Sequence, residues 1–101
     1  MRAHWLACTV SPGQFSNEYV VKGTTYDHKG FSLFCPEEYV EVKGSKEPTW
    51  DEPAQGRVQV QIAEKKGNLL LVRLPRHTLE NGPYVTVLKE QVMERSIKQR
   101  A

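Results

Sequence analysis

Any chemistry in this chain has to begin from two thiols, three imidazoles and a scatter of carboxylates. Cys8 and Cys35 are the cysteines and His4, His28 and His77 the histidines, with Asp27 and Asp51 as acids that could orient a base. A thiol nucleophile needs a base within hydrogen-bond reach and a third group holding that base. Both cysteines instead fall on the apolar phase of alternating runs, WLACTV at 5–10 and FSLFC at 31–35, where a thiol behaves as a small hydrophobe. His4 and Cys8 share a strand face, but four steps of 3.3 Å set them about 13 Å apart, too far to ligate one zinc ion. His28 reads as a turn residue, His77 as a loop residue, and Glu37, Glu38 and Glu41 as a solvated acidic corner. No phosphate-binding glycine loop, dinucleotide fingerprint or paired-cysteine motif occurs. The expectation is a protein that is not an enzyme and uses no cofactor and no metal.

Recognition is the better-supported class. The segment KGSKEPTWDEPAQG, residues 43–56, sets Trp50 among lysines, acids, prolines and glycines. Its indole is expected to lie over an open end of the fold as a cap, removing apolar area from water. The competing role is an exposed anchor for a partner, since tryptophan is enriched among binding hot spots and flanking prolines lower the entropic cost of presenting it. Arg73, Arg76, His77 and Tyr84 are the other expected partner-binding residues. They lead to two readings: a module that binds a protein partner, or a barrel that binds RNA or single-stranded DNA by stacking bases beside cations. A net charge of +2 and a pI near 8.6 are too mild to demand a polyanion, and Glu64, Glu80, Glu90 and Glu94 interrupt the cations. The protein-binding reading therefore comes first, with the oligomeric state open between monomer and homodimer.

The elements that must position these residues follow a period of two. Leu6, Cys8 and Val10 share one face, and Val58, Val60 and Ile62 oppose Gln59 and Gln61 in RVQVQIAE. EYVVKGTTY and FSLFC flank DHKG, which offers a turn with Gly30 for a positive φ. Gly67 and Asn68 suit a second hairpin, NLLLVRL is apolar on both faces and so central, Asn81-Gly82 marks another turn, and YVTVL is a further strand. Leu88, Val92 and Ser96 recur at helical spacing, which allows a short C-terminal helix.

About six strands with turn signals between them predict an all-β fold, a small antiparallel barrel or half-sandwich that is either SH3-like or built of duplicated three-strand units. At 101 residues a single domain is expected. A constant shift of 52 (58 − 6) carries Leu6, Cys8 and Val10 onto Val58, Val60 and Ile62, and Tyr19 and Val20 onto Leu71 and Val72. It also carries Leu33 and Cys35 onto Val85 and Val87, and Glu38 and Val40 onto Glu90 and Val92, with no gap. Two repeats, about 3–42 and 55–94, joined by a 43–54 bridge, are the organisation this echo suggests. No run reaches the length of a membrane helix, the apolar stretch of MRAHWLACTV is too short for a signal peptide, and two cysteines in apolar runs suit a reducing compartment. The expected location is the cytoplasm, with no membrane partner.

Overall fold

The computed structural model describes residues 2–44, 46–80 and 82–96. Eight strands follow in order: β1 Arg2–Pro12, β2 Glu18–Thr24, β3 Gly30–Pro36, β4 Val40–Val42, β5 Ala54–Lys66, β6 Leu69–Arg73, β7 Tyr84–Leu88 and β8 Val92–Ser96. Single 3-10 turns, Glu37–Tyr39 and Lys89–Gln91, lead into β4 and β8. The strands form one antiparallel sheet of order β3-β2-β1-β5-β6-β7, with β4 paired to β5 and β8 to β1, curled into a half-barrel.

Alternation decides which face turns inward. Leu6, Cys8 and Val10 of β1, Phe31, Leu33 and Cys35 of β3, and Val58 and Val60 of β5 meet Leu70 and Val72 of β6 and Val85 and Val87 of β7 in one core. As its apolar faces require, β6 lies between two strands. Trp5, which alternates with the core residue Leu6 on β1, is 4% exposed, and its indole N–H is buried without a hydrogen-bond partner among the described residues.

The turn chemistry departs from expectation in the first hairpin. His28, not Gly30, carries the left-handed backbone, with φ 64°. Thr25 explains why the loop closes there: its N–H donates to Lys29 O at 2.9 Å, its carbonyl accepts from His28 N at 3.1 Å, and its hydroxyl accepts from Lys29 N at 3.2 Å. Gly67 has the expected positive φ, 58°. Asn81 lies outside the described residues, while Gly82 O accepts from the Thr78 hydroxyl at 2.9 Å.

The expected C-terminal helix is overturned within the described residues. Lys89–Gln91 is a single 3-10 turn, and Val92 to Ser96 form β8 opposite Leu6 to Arg2. Helical spacing was outweighed because a strand here pairs the edge of β1, which would otherwise be bare. Ile97 falls outside the described residues.

The pairings themselves are two-fold related. Leu6 pairs with Val58, Val40 of β4 with Val58, and Val92 of β8 with Leu6, so a shift of 52 (58 − 6, 92 − 40) maps each closing strand and its partner onto the other. Outside the ladders, Glu37 N donates to Asn17 O and Lys89 N to Asn68 O, both at 2.9 Å. The gapless alignment needs one correction. Val21 pairs with Leu33 and Val72 with Val85, so β7 follows β3 by 52 (85 − 33) whereas β6 follows β2 by 51 (72 − 21). The difference is already present where Ile62 pairs with Val72 as Val10 pairs with Val21. The chain from Ile62 to Val72 is therefore one residue shorter than that from Val10 to Val21, and a separate register shift follows between Ile62 and Glu64. Tyr19 thus corresponds to Leu70, not Leu71.

Candidate partner-binding surfaces

Trp50 does not cap the half-barrel. It is 66% exposed, and among the described residues of the bridge the buried one is Pro48. The segment is held by Lys43 N donating to Gln55 O at 2.8 Å and by the Tyr19 hydroxyl donating to Glu47 Oε2 at 3.3 Å. Thr49 and Glu52 then bond each other twice, Thr49 N to Glu52 O at 3.1 Å and Glu52 N to Thr49 Oγ1 at 3.0 Å, with Lys46 Nζ 3.4 Å from Glu52 Oε2. Trp50 and Asp51 lie at the tip of this closed turn, both exposed.

Of the other four expected residues, two are cross-strand neighbours. Arg73 on β6 pairs with Tyr84 on β7, and both are exposed while Val72 and Val85 beside them are buried. Arg76 and His77 lie in the loop from Leu74 to Pro83 and are exposed; Arg76 donates to Pro75 O at 3.1 Å. That loop is fixed to the free edge of β3. Leu79 N donates to Ser32 O at 2.8 Å, and the Glu80 carboxylate accepts from the Ser32 N–H and hydroxyl, each at 2.8 Å. Those bonds, the backbone N–H first, hold the Glu80 carboxyl below its ordinary range. Nothing in the register or hydrogen bonding of the described residues links Trp50 to this group.

Two exposed apolar side chains here carry almost no mark in the sequence. Leu79 is 63% exposed beside β3, and Phe15 is 69% exposed in the β1–β2 loop, where it lines a groove with Pro48 and Glu47. Tyr26 is exposed and its N–H donates to Thr86 O at 3.0 Å, two residues from Tyr84. The only signal for Leu79 and Phe15 was an apolar residue inside a loop.

The thiols occupy the core. Burial, the leading cause in both, pushes Cys8 and Cys35 up to about 12, so they are neutral and unreactive near pH 7. His4 Nε2 lies 3.3 Å from Glu94 Oε2 across the β1–β8 pair. Glu41, expected in a solvated corner, instead lies on β4 between Arg57 Nε at 3.5 Å and Arg95 at 3.1 Å. Among the described residues no three His, Cys, Asp or Glu side chains are grouped to hold a metal ion, and no helix is long and apolar enough to cross a membrane.

Comparison of the chain with known protein families, with curated proteins and with solved structures finds no match in any of the three.

Proposed function

We propose that this protein is a non-enzymatic interaction module that docks a protein partner on Trp50, used as small SH3-like barrels use their loop aromatics. The observation that carries the reading is the indole, two-thirds exposed at the tip of a turn closed by reciprocal Thr49–Glu52 bonds and footed on buried Pro48. A large apolar side chain in water gains little for the folded monomer, and a turn fixed in advance spares a partner the cost of ordering it. Two unpaired, buried thiols fit action in a reducing compartment such as the cytoplasm.

Arg73 beside Tyr84, with Tyr26 nearby, is the observation that favours nucleic acid instead, because a base can stack there with a cation at its edge. A pull-down from the native host with wild-type protein and Trp50→Ala, each with and without nuclease, separates the two. A partner that survives nuclease and is lost with Trp50→Ala supports the first reading. Capture abolished by nuclease, and weakening steeply with salt, overturns it.

A further inference from the structure

β5 changes partners along one edge. Residues 56–58 pair with β4 and residues 61–66 with β6, which leaves Gln59 and Val60 without a strand partner on that side. β1 does the same: 2–6 pair with β8 and 9–12 with β2, leaving Ala7 and Cys8 open. In an antiparallel strand each residue aims its N–H and C=O to one side and its neighbour aims them to the other. One residue of each open pair therefore presents both groups to the gap. A cavity opens at each gap, about 210 Å³ beside Gln59 and Val60 and about 330 Å³ beside Ala7 and Cys8.

The two cavities are the same place in the two halves of the chain. Tyr39, Gln59 and Val60 line the first and, 52 residues away (91 − 39, 59 − 7, 60 − 8), Gln91, Ala7 and Cys8 line the second. The 51-residue offset of β6 (73 − 22) likewise matches Arg73 in the first with Lys22 in the second. Neither cation has an ion pair among the described residues. Tyr39 packs its ring against the core, and its hydroxyl makes no hydrogen bond among the described residues. Gln91 is already engaged, donating to Thr24 O at 3.0 Å and accepting from Leu88 N at 2.7 Å.

We propose that these gaps are a pair of related sites for an extended acidic peptide, the Gln59–Val60 site being the stronger. One peptide residue pairs with the open backbone N–H and C=O as a ladder partner would, and its carboxylate, or that of a neighbour, meets Arg73 and the Tyr39 hydroxyl. A phosphate or nucleic-acid backbone offers acceptors only and would leave the strand carbonyl unpaired, whereas a peptide offers a donor and an acceptor together. The second site has the shorter recognition list, Lys22 with no free hydroxyl equivalent to Tyr39, and a lysine lacks the guanidinium's paired donors. The proposal shares with the preceding section the class of partner and gives Arg73, weighed there for nucleic acid, a peptide carboxylate instead, and Trp50 plays no part in it.

The test is fluorescence anisotropy with a labelled peptide of alternating glutamate and valine, read beside amide NMR shifts of the full chain. The expected result is two binding steps, with shifts at Gln59 and Val60 in the first and at Ala7 and Cys8 in the second. Arg73→Gln should weaken the first step about tenfold or more, the loss of a charge-assisted bond, and Tyr39→Phe less. Lys22→Gln should affect only the second step, and Trp50→Ala neither. A glutamine-valine peptide that binds as well, inorganic phosphate that competes at equal concentration, or an Arg73→Gln variant with wild-type affinity would overturn the proposal. If Trp50→Ala loses the host partner but not the peptide, the two readings stand separately.

Discussion

Leu6 on β1 stands directly opposite Val58 on β5, and both are fully buried. Since 58 − 6 is the offset that relates the closing strands, each residue faces its own counterpart, and the axis relating the halves runs between them. The pairs on either side of it are matched couples, Cys8 with Gly56 answered by His4 with Val60, and Ala7 with Arg57 answered by Trp5 with Gln59. Leu6→Ala should cost about 2–5 kcal/mol, and adding Val58→Ala should be non-additive by about 0.5–3 kcal/mol because the two share one site in the core. Urea unfolding of the single and double variants measures this; strict additivity would mean the two side chains do not pack on each other.

Trp50→Ala should leave stability within about 0.5 kcal/mol of wild type, the range for exposed substitutions, while removing the host partner. Thermal melting paired with the pull-down reads both. A marked fall in Tm would show that the indole packs on the fold after all.

Cys8 and Cys35, with ordinary values of 9.0, are raised to about 12 in the fold. A raised pKa stabilises the fold fully below the unfolded value and loses that contribution as pH climbs through the folded value. Stability should thus decline between about pH 9 and 12, and Cys8→Val with Cys35→Val should flatten the decline relative to wild type in denaturant titrations at each pH. At pH 8 a thiol reagent should label neither cysteine until denaturant is added.

Gly56 has no room for a side chain. A Cβ there would lie 2.5 Å from Glu41 O and 2.8 Å from Val10 Cγ2, and the first is backbone that cannot swing away. Gly56→Ala should cost about 1–3 kcal/mol and speed amide exchange along β4, the strand it would push aside.

His28 holds a φ of 64°, a region that costs a non-glycine residue free energy. His28→Gly should therefore be neutral or stabilising by up to about 1 kcal/mol, measured as a shift in the urea midpoint, unless the Thr25 bonds close the loop only around a side chain.

The long alternating strands were legible because local pattern alone marks them: β5 and β3 are read directly from RVQVQIAE and FSLFC. β4 and β8 were not, since three and five residues carrying Glu41, Glu94 and Arg95 resemble solvated turns until β5 and β1 supply their ladders. The echo nonetheless held a trace of them. Glu38 and Val40, matched with Glu90 and Val92, belong to the 3-10 turns and the strands they feed. The 51-residue offset of β6 was invisible, because a one-residue slip along Leu69, Leu70, Leu71 and Val72 still leaves an apolar residue at every core position. At the surface, the sequence named Arg73 and Tyr84 as candidates but not their pairing, which needs the β6–β7 register, and it left Trp50 between cap and exposed anchor, for burial depends on what lies opposite. Lys22, matched to Arg73 only through the offset, carried no local mark.

The exchange of closing strands has one consequence for how this chain must be handled. Because β4 completes the sheet of the second half and β8 that of the first, neither half owns all of its own edges, and only the length of the bridge lets one molecule satisfy both. Excising the bridge would not erase those contacts but pass them to a neighbouring molecule, and an intertwined pair would form from the same ladders.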